Sequence, residues 1–401
     1  MFGTRGRRRT FWLVVVSMLA LVACRRNPEQ DYAAVMESGT KLLEKKEYVQ
    51  AILRFRGAVQ LAPGNAEPLY RLGLAYLASG NVTEGVTALV KATSVDPEHA
   101  SAQVKLAELL AGSKDKTLLE DGRKRLQDVL SARPADSDAL TALALTETRL
   151  GDIQGAEEHL RGALRSSPTS LKAAVVLARI KLGQRDIPGA EGVLRSAIQE
   201  SPRSPDAHLA MAEFLLLVNR PGDAEKELNS ALELDRKNAR AMLGLAALAS
   251  AARKDEEAKR IYREVSGLGD ARFRHLYGAY LFNAGQREAA VQEFERLANQ
   301  DPSDREARTR LVGALLAVNR NVDAGRVLDA ALQKNPRDVD ALLLKSEMLV
   351  RGGKLGEAQR NLSEVLRFKP ESSRAHHLLA KIYGARGSGQ LQRQELSQAL
   401  Q

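Results

Sequence analysis

Apolar residues recur in a repeated pattern along the chain from about residue 32, and prolines mark the period of the repeat. Eight of the 13 prolines fall at positions 63, 97, 134, 168, 202, 302, 336 and 370. The intervals between them are 34, 37, 34, 34, 100, 34 and 34 residues, and the interval of 100 accommodates two more units without the proline. A 34-residue unit that ends in a helix-stopping proline predicts a tandem array of helix-turn-helix hairpins.

Within each unit, the small and large apolar residues occupy fixed positions. The second unit, counted from Ala66, has Leu69, Leu72, Gly73, Tyr76, Leu89, Ala92 and Pro97 at its positions 4, 7, 8, 11, 24, 27 and 32. The eighth unit, counted from Ala271, matches with Tyr277, Gly278, Leu281, Ala290, Phe294 and Pro302. This pattern resembles the tetratricopeptide repeat (TPR) over about 370 of the 401 residues. The resemblance implies an all-α fold, a right-handed superhelical solenoid of about eleven hairpins.

Three units depart from the regular length or composition. The third is three residues longer, which predicts an extended turn at Gly112 to Thr117. The seventh ends in Gly267-Leu268-Gly269, which predicts a kink or a softer joint. The last second helix, from Leu391 to Gln401, is polar enough to be a solvated end cap.

The N-terminal segment has the pattern of an export signal. Residues 1–10 are basic, and the apolar run from Phe11 to Ala23 is 13 residues long, shorter than the roughly 17 to 25 residues that span a bilayer. The run ends in Leu21-Val22-Ala23-Cys24, which resembles a bacterial lipobox. The resemblance implies a signal peptide at 1–23, lipidation of Cys24, a lipidated tether at 24–31 and a TPR solenoid at 32–401.

Two other interpretations of this segment remain: an ordinary signal peptide with a chance cysteine, and an uncleaved short anchor. Several acyl chains on Cys24 would attach the protein stably to a membrane, which one chain does not do. Residue 25 is Arg and not Asp. By resemblance to enterobacterial sorting, this implies the periplasmic face of the outer membrane, with the inner membrane as the alternative.

Charge and composition argue against other classes of partner. The formal net charge is +10, and four of the basic residues lie before residue 24. The remaining charges are mixed in sign, and no basic stripe is interleaved with aromatic residues, so we expect no nucleic-acid partner. The single cysteine excludes a disulfide framework.

The sequence contains no recognisable catalytic or metal-binding motif. None of the six histidines forms an HExxH pair, and we expect them at surface or groove positions. Neither GxxxxGK[ST] nor GxSxG occurs. We therefore expect no enzyme activity, no catalytic residue, no cofactor, no metal and no small-molecule substrate.

The resemblance also indicates where a protein partner would bind. In TPR proteins the first helix of each hairpin lines a concave groove, and positions 2, 5, 9 and 12 face inward. Positions 2 and 9 are polar and mixed in sign here, while positions 5 and 12 are mostly apolar. The predicted peptide-binding residues at positions 5 and 12 are Met36, Leu43, Tyr70, Leu77, Val104, Val175, Leu182, Leu209, Leu216, Leu243, His275, Phe282, Leu316, Leu343 and Val350.

Such a stripe suits an amphipathic helix or an extended apolar segment of a partner. Tyr70, His275 and Phe282 are the strongest candidates for partner contacts, since rigid aromatic rings favour binding surfaces. The alternative is that the apolar residues pack on neighbouring helices.

We expect a lipid-anchored scaffold for envelope assembly or secretion (pilus or secretin assembly, outer-membrane protein insertion, or exopolysaccharide export). The alternative is an adaptor or regulator of a periplasmic hydrolase or synthase.

Overall fold

The structure, a computed structural model, describes residues 28–400, with side chains from residue 31 onward. Over this range it has 22 helices and no strand, so the predicted all-α fold of tandem hairpins is confirmed. The signal peptide, the lipobox and Cys24 lie outside the described residues.

The helices form eleven hairpins, in agreement with the eleven predicted units. In chain order the helices are α1 (Pro28–Glu44), α2 (Tyr48–Leu61), α3 (Ala66–Ala78), α4 (Val82–Val95), α5 (Ala100–Leu110), α6 (Lys116–Ala132), α7 (Ser137–Leu150), α8 (Ile153–Ser166), α9 (Leu171–Gly183), α10 (Ile187–Glu200), α11 (Pro205–Leu217), α12 (Pro221–Leu234), α13 (Ala239–Ala251), α14 (Asp255–Ser266), α15 (Leu276–Asn283), α16 (Arg287–Gln300), α17 (Arg305–Ala317), α18 (Asn321–Lys334), α19 (Val339–Arg351), α20 (Leu355–Phe368), α21 (Ser373–Ala385) and α22 (Gly389–Ala399). Odd-numbered helices are the first helices of the hairpins and even-numbered helices are the second.

The first helices begin where a side chain caps the exposed backbone amides. Asp136, Asp304 and Asp338 are N-cap residues, and each accepts a hydrogen bond from the amide three residues later. Such a cap stabilises a helix by about 1 kcal/mol. Because these caps recur at the same place in the repeat, the hairpins that have one begin at a position that the local sequence specifies.

Small residues let the two helices of a hairpin approach closely, as the pattern predicts. A Cβ atom added at Gly39 would lie 2.7 Å from Phe55 Cε1, and one at Gly278 would lie 2.5 Å from Phe294 Cε1. Phe55 is fully buried and Phe294 is 3% exposed. Position 8 must therefore be small in these hairpins because the aromatic ring at position 24 occupies the space that a side chain would need.

In ten of the eleven hairpins of residues 28–400, the turn between the two helices contains one residue in the left-handed conformation. Glycine supplies it at Gly80, Gly151, Gly285, Gly353 and Gly387, as predicted for the first four. In other hairpins non-glycine residues adopt it: Lys46, Arg185, Asn219, Arg253 and Asn319. The left-handed conformation costs a lysine or an arginine roughly 1–2 kcal/mol, so the hairpin fold imposes it on Lys46, Arg185 and Arg253 against their local preference.

The third hairpin has an extended turn near the predicted position, although Lys116 and Thr117 already belong to α6, and an irregular connection follows α14 where a kink or softer joint was expected. The turn of the third hairpin extends from 111 to 115, and the connection between α14 and α15 extends from 267 to 275. In the longer connection the Ser266 hydroxyl donates to the Phe273 carbonyl at 3.1 Å and accepts from the Tyr277 amide at 2.9 Å. The Ser266 hydroxyl therefore links the end of α14 to the irregular segment and to the first turn of α15, which is only eight residues long.

The chain divides into two compact units, residues 28–214 and 215–400, each with its own apolar core. In the second unit, none of the residues of α22 is buried, which confirms the predicted solvated end cap. Searched over the described residues, the chain has no helix with the length and apolarity that crossing a membrane requires.

Candidate functional site

The first helices of several successive hairpins contact one another, so their corresponding side chains lie side by side. Helix α1 contacts α3, and α7 contacts both α5 and α9; in the second unit α19 contacts α17 and α21. We call the predicted binding residues at positions 5 and 12 of these helices the first-helix stripe.

The exposure of the stripe differs from residue to residue. Leu216 is exposed. The half-buried members are Met36, Leu43, Tyr70, Leu77, Val175, Leu182, Leu243, Phe282, Leu316 and Val350. The remaining four, Val104, Leu209, His275 and Leu343, are at most 6% exposed.

Packing inside the chain explains the buried members. Val104 belongs to a core cluster with Leu126 and Val129, and Leu343 to one with Leu362 and Val365. These side chains have little surface left for a partner. The assignment of the stripe as a partner-binding site stays a prediction, and within it the half-buried and exposed residues are those that a partner can reach.

Tyr70 lies in a polar and aromatic neighbourhood near the N-terminal end of the stripe. Its ring centroid is 5.3 Å from that of His99, and the Arg71 guanidinium lies 5.8 Å from its centroid. Arg71 Nε donates to a Glu67 carboxylate oxygen at 2.6 Å, and His99 Nε2 lies 3.1 Å from the other oxygen. Burial raises the pKa of the Tyr70 hydroxyl above its ordinary value. The ring is therefore fixed by its neighbours and remains uncharged at neutral pH.

An ion pair crosses the stripe at the fourth hairpin. Lys172 on α9 donates to the carboxylate of Glu108 on α5, and Lys105 donates to the other oxygen of that carboxylate at 3.0 Å. Burial acts to raise the pKa of Glu108, but the hydrogen bonds and charges of Lys172 and Lys105 outweigh it and hold this pKa below its ordinary value. Lys172 and Glu108 occupy positions 2 and 9 of their repeats, which the sequence predicts to be the polar edge of the groove, but the sequence does not show that the two bond to each other.

In the second unit the stripe continues with aromatic and aliphatic side chains. Phe282 and Leu316 pack against the core cluster that contains Leu281 and Leu315, and each keeps part of its surface exposed. At the C-terminal end, Glu347 accepts from Arg374 at 2.6 Å and from Arg351 at 3.1 Å. An apolar surface bordered by paired charges therefore recurs in both units.

The expectation that the histidines lie at surface or groove positions is wrong for His376, which is 8% exposed and inside the packing of α21 and α22. His275 is a stripe residue but is buried, with Nε2 3.5 Å from Asp304 Oδ2. A carboxylate lies near one nitrogen of each ring, while the buried Nδ1 of His275 has no hydrogen-bond partner among the described residues. The helical pattern alone does not show these surroundings. Over the described part of the chain, no group of three or more His, Cys, Asp or Glu side chains is placed to hold a metal ion.

Comparison with family models identifies the class of protein. Residues 25–161 match the model of the cytochrome c-type biogenesis protein H TPR domain. Residues 147–213, 181–231 and 315–382 match one tetratricopeptide repeat model, and residues 278–339 match a second. Together these matches cover residues 25–231 and 278–382.

Solved TPR structures are similar to this chain at low sequence identity. A TPR protein from Parabacteroides merdae is 17% identical, covers 63% of this chain and 99% of its own, and has a TM-score of 0.45. Pseudomonas aeruginosa PilF is 16% identical and covers 55% of this chain and 100% of its own, with a TM-score of 0.41. Yeast Tom70 is 13% identical and covers 89% and 97%, with a TM-score of 0.41. Among curated proteins, none matches this chain significantly.

The chain belongs to the tetratricopeptide repeat family. Its tandem hairpins form a scaffold for protein–protein interaction, and the TPR fold is generally non-catalytic.

Proposed function

We propose that this protein is a lipid-anchored scaffold on the periplasmic side of the bacterial outer membrane, where it holds protein partners during envelope assembly or secretion. The observation that carries the proposal is the combination of a lipobox-like Leu21-Val22-Ala23-Cys24 with a chain of eleven interaction hairpins. The match of residues 25–161 to a domain described for cytochrome c-type biogenesis supports a role in assembly.

The first-helix stripe is the surface that this scaffold offers to a partner. Its accessible apolar residues include Tyr70 in the first unit and Phe282 in the second, and ion pairs such as Lys172–Glu108 and Arg374–Glu347 border it. An amphipathic helix or an extended apolar segment with mixed flanking charges complements such a surface.

The experiment that tests partner binding is a crosslinking pull-down from the native envelope. Tyr70→Ser and Phe282→Ser each remove a large part of the accessible apolar surface and should reduce capture of the same partner several-fold. Leu53→Ser is the matched control, because Leu53 is 62% exposed on the second helix of the first hairpin, outside the stripe. Unchanged capture by both stripe variants, with wild-type circular dichroism, would contradict this surface.

The anchor is tested separately. Cys24→Ala removes the only thiol in the chain and should shift the protein from the membrane fraction to the soluble periplasmic fraction. Membrane attachment equal to that of the wild type would refute lipidation without affecting the scaffold assignment. Separating the inner and outer membranes by density then tests the location, and the identity of the captured partner distinguishes an assembly role from regulation of a hydrolase or synthase.

A further inference from the structure

The second helix of the first hairpin presents an aliphatic pair to the outside. Val49 and Leu53 lie two positions before and after the buried Ala51, and they are 72% and 62% exposed. Two positions turn a helix by about 200°, so both side chains point away from the packed side of α2. The side of α2 opposite its core contacts is therefore apolar.

The second hairpin continues this surface with uncharged side chains. Thr83 and Thr87 are exposed on either side of the buried Gly85, and Val90, on the same side of α4, is 45% exposed. Together α2 and α4 contain one acidic residue against three basic ones. We call this surface the outward face of the N-terminal hairpins; it consists of Val49, Leu53, Thr83, Thr87 and Val90.

The other hairpins of the first unit lack such a face. The residues at the same places on α6, α8 and α10 are Glu120 and Lys124, Gln154 and Glu158, and Pro188 and Gly192. None of these is a valine, a leucine or an isoleucine. Within the first unit, the aliphatic surface on the outside of the second helices is therefore confined to the N-terminal end.

The proposed lipid anchor precedes this same end of the chain. Residues 24–27 separate the lipid from the start of α1 at Pro28, and four residues span at most about 14 Å. Helix α1 packs on α2. Packed helix axes lie about 8–10 Å apart and a helix has a radius of about 5–6 Å, so a bilayer against the outer side of α2 lies about 13–16 Å from the axis of α1. This distance is comparable to the length of the tether.

We propose that the outward face of the N-terminal hairpins rests on the bilayer that holds the acyl chains of Cys24, and that this contact orients the two hairpins. The inference rests on the proposed lipid anchor. The aliphatic side chains enter the boundary between headgroups and acyl chains, and Arg54 and Lys91 interact with anionic headgroups. Helices α1 and α3, which carry the N-terminal part of the first-helix stripe, then lie on the side of α2 and α4 away from the lipid, where a partner can reach them.

The outward face orients the protein but does not attach it. Three exposed aliphatic side chains bury much less apolar surface in a membrane than the acyl chains do. Cys24→Ala therefore still releases the protein. Leu53→Ser neither detaches the lipidated protein nor changes the first-helix stripe, so it stays a suitable control for partner capture.

The test uses the lipidated full chain in vesicles of phosphatidylethanolamine and phosphatidylglycerol. Because Cys24 is then acylated, the thiol of Val49→Cys is the only free one, and a nitroxide on it collides with oxygen in lipid or with a nickel chelate in water. We expect an oxygen-to-nickel collision ratio several-fold higher for Val49→Cys than for Val322→Cys. Val322 is the matched control, because it is 69% exposed at the same place in the ninth hairpin, where Arg326 replaces the second aliphatic residue.

Two further variants test which part of the hairpins meets the lipid. Gly64→Cys places the nitroxide in the exposed turn between α2 and α3, at the edge of the hairpins, and should give a lower ratio than Val49→Cys. Adding Leu53→Ser and Val90→Ser to Val49→Cys should lower its ratio towards that of Val322→Cys, and circular dichroism verifies that the variant is folded. Leu217→Ser, at a residue that is 73% exposed outside the outward face, is the control for this substitution.

Each other outcome would count against the proposal. A ratio for Val49→Cys that equals that of Val322→Cys, or that is lower than that of Gly64→Cys, would overturn it. Low collision rates with both reagents would show that protein, and not lipid, covers the face. A parent chain that takes up nitroxide at Cys24 would be unlipidated, which refutes the anchor itself; failure of the outward face alone leaves Cys24 blocked and the protein bound to the vesicles.

Discussion

Lys172 on α9 forms an ion pair with Glu108 on α5, so a single side-chain contact joins the third and fifth hairpins across the fourth. The fourth hairpin places Thr141, which is fully buried, at position 5 of its first helix, where most other hairpins have larger side chains. The ion pair therefore crosses the first-helix stripe at a hairpin whose own position-5 side chain does not reach the surface.

Removing Lys172 should change the titration of Glu108. In Lys172→Met we expect the pKa of Glu108 to rise, because burial is then opposed by Lys105 alone. A carboxyl group whose pKa is lowered in the folded state contributes stability above its ordinary pKa and loses it as the pH falls through the lowered value. The part of the free energy of unfolding that is lost at acid pH through protonation of Glu108 should therefore be smaller in Lys172→Met than in the wild type.

The measurement is the carboxyl carbon shift of Glu108 together with urea midpoints between about pH 3 and 7. At neutral pH the loss of stability should stay below about 1 kcal/mol, because Lys172 is 44% exposed. Lys41→Met, which breaks the exposed pair with Glu37, is the control and should leave the Glu108 shift unchanged. An identical Glu108 titration in Lys172→Met and in the wild type would rule out the ion pair.

Alanine substitutions at two helical glycines of the second unit should change the stability of the protein in opposite directions. Gly278→Ala forces a Cβ against the buried ring of Phe294 and should destabilise the protein by about 1–3 kcal/mol. At Gly313 a Cβ would meet no atom of the described residues within 4 Å apart from its chain neighbours and its own helix backbone, so Gly313→Ala should stabilise α17 by roughly 0.5–1 kcal/mol. Urea denaturation measures both changes, and equal effects of the two substitutions would contradict the packing at position 8.

A second matched pair tests the turns of the hairpins. Gly151 and Arg185 both adopt left-handed backbone angles, with φ of 93° and 65°. Arg185→Gly should stabilise the first unit by about 0.5–1 kcal/mol, since relief of the left-handed strain exceeds the added entropy of the unfolded chain. Gly151→Ala should destabilise it by about 1 kcal/mol. Thermal unfolding followed by circular dichroism compares the two, and destabilisation by Arg185→Gly would show that the arginine side chain has a role of its own.

The attachment of the last helix should depend on pH. His376 Nδ1 lies 2.6 Å from Glu395 on α22, and its Nε2 lies 2.8 Å from the Pro370 carbonyl oxygen, so the doubly protonated ring satisfies both acceptors. Burial acts to lower the pKa of His376, but the bonds to Glu395 and Pro370 outweigh it and raise this pKa above 6.5. The stabilisation is therefore complete below the ordinary histidine pKa and is lost as the pH rises through the raised value.

Hydrogen-exchange protection factors of α22 at about pH 6 and pH 8.5 measure this effect, and we expect lower protection at the higher pH. Glu395→Gln should lower the pKa of His376 and remove most of the difference. His377→Gln is the control, because His377 is exposed on the same helix. Equal protection of α22 at both pH values in the wild type would argue against the contact.

Most of the fold could be predicted from local features. The 34-residue period, the glycines at position 8 and the terminal prolines placed the eleven hairpins, since helix ends and close helix contacts depend on residues within one unit. The extended turn of the third hairpin and the irregular segment after α14 also followed from an insertion and from Gly267 and Gly269. The left-handed turns at Lys46, Arg185 and Arg253 did not, because these residues have no preference for that conformation.

The candidate sites were less predictable. The sequence by itself determined the repeat, the hairpin boundaries and the face of each first helix that forms the stripe, because helical periodicity and capping are local properties. Only the tertiary structure decided that Val104 and Leu343 are buried while Tyr70 and Phe282 remain accessible, and that Lys172 reaches Glu108. The physical reason is that exposure and ion pairing depend on neighbours about one or two repeats away, whose distance and side-chain rotamers the periodicity does not specify.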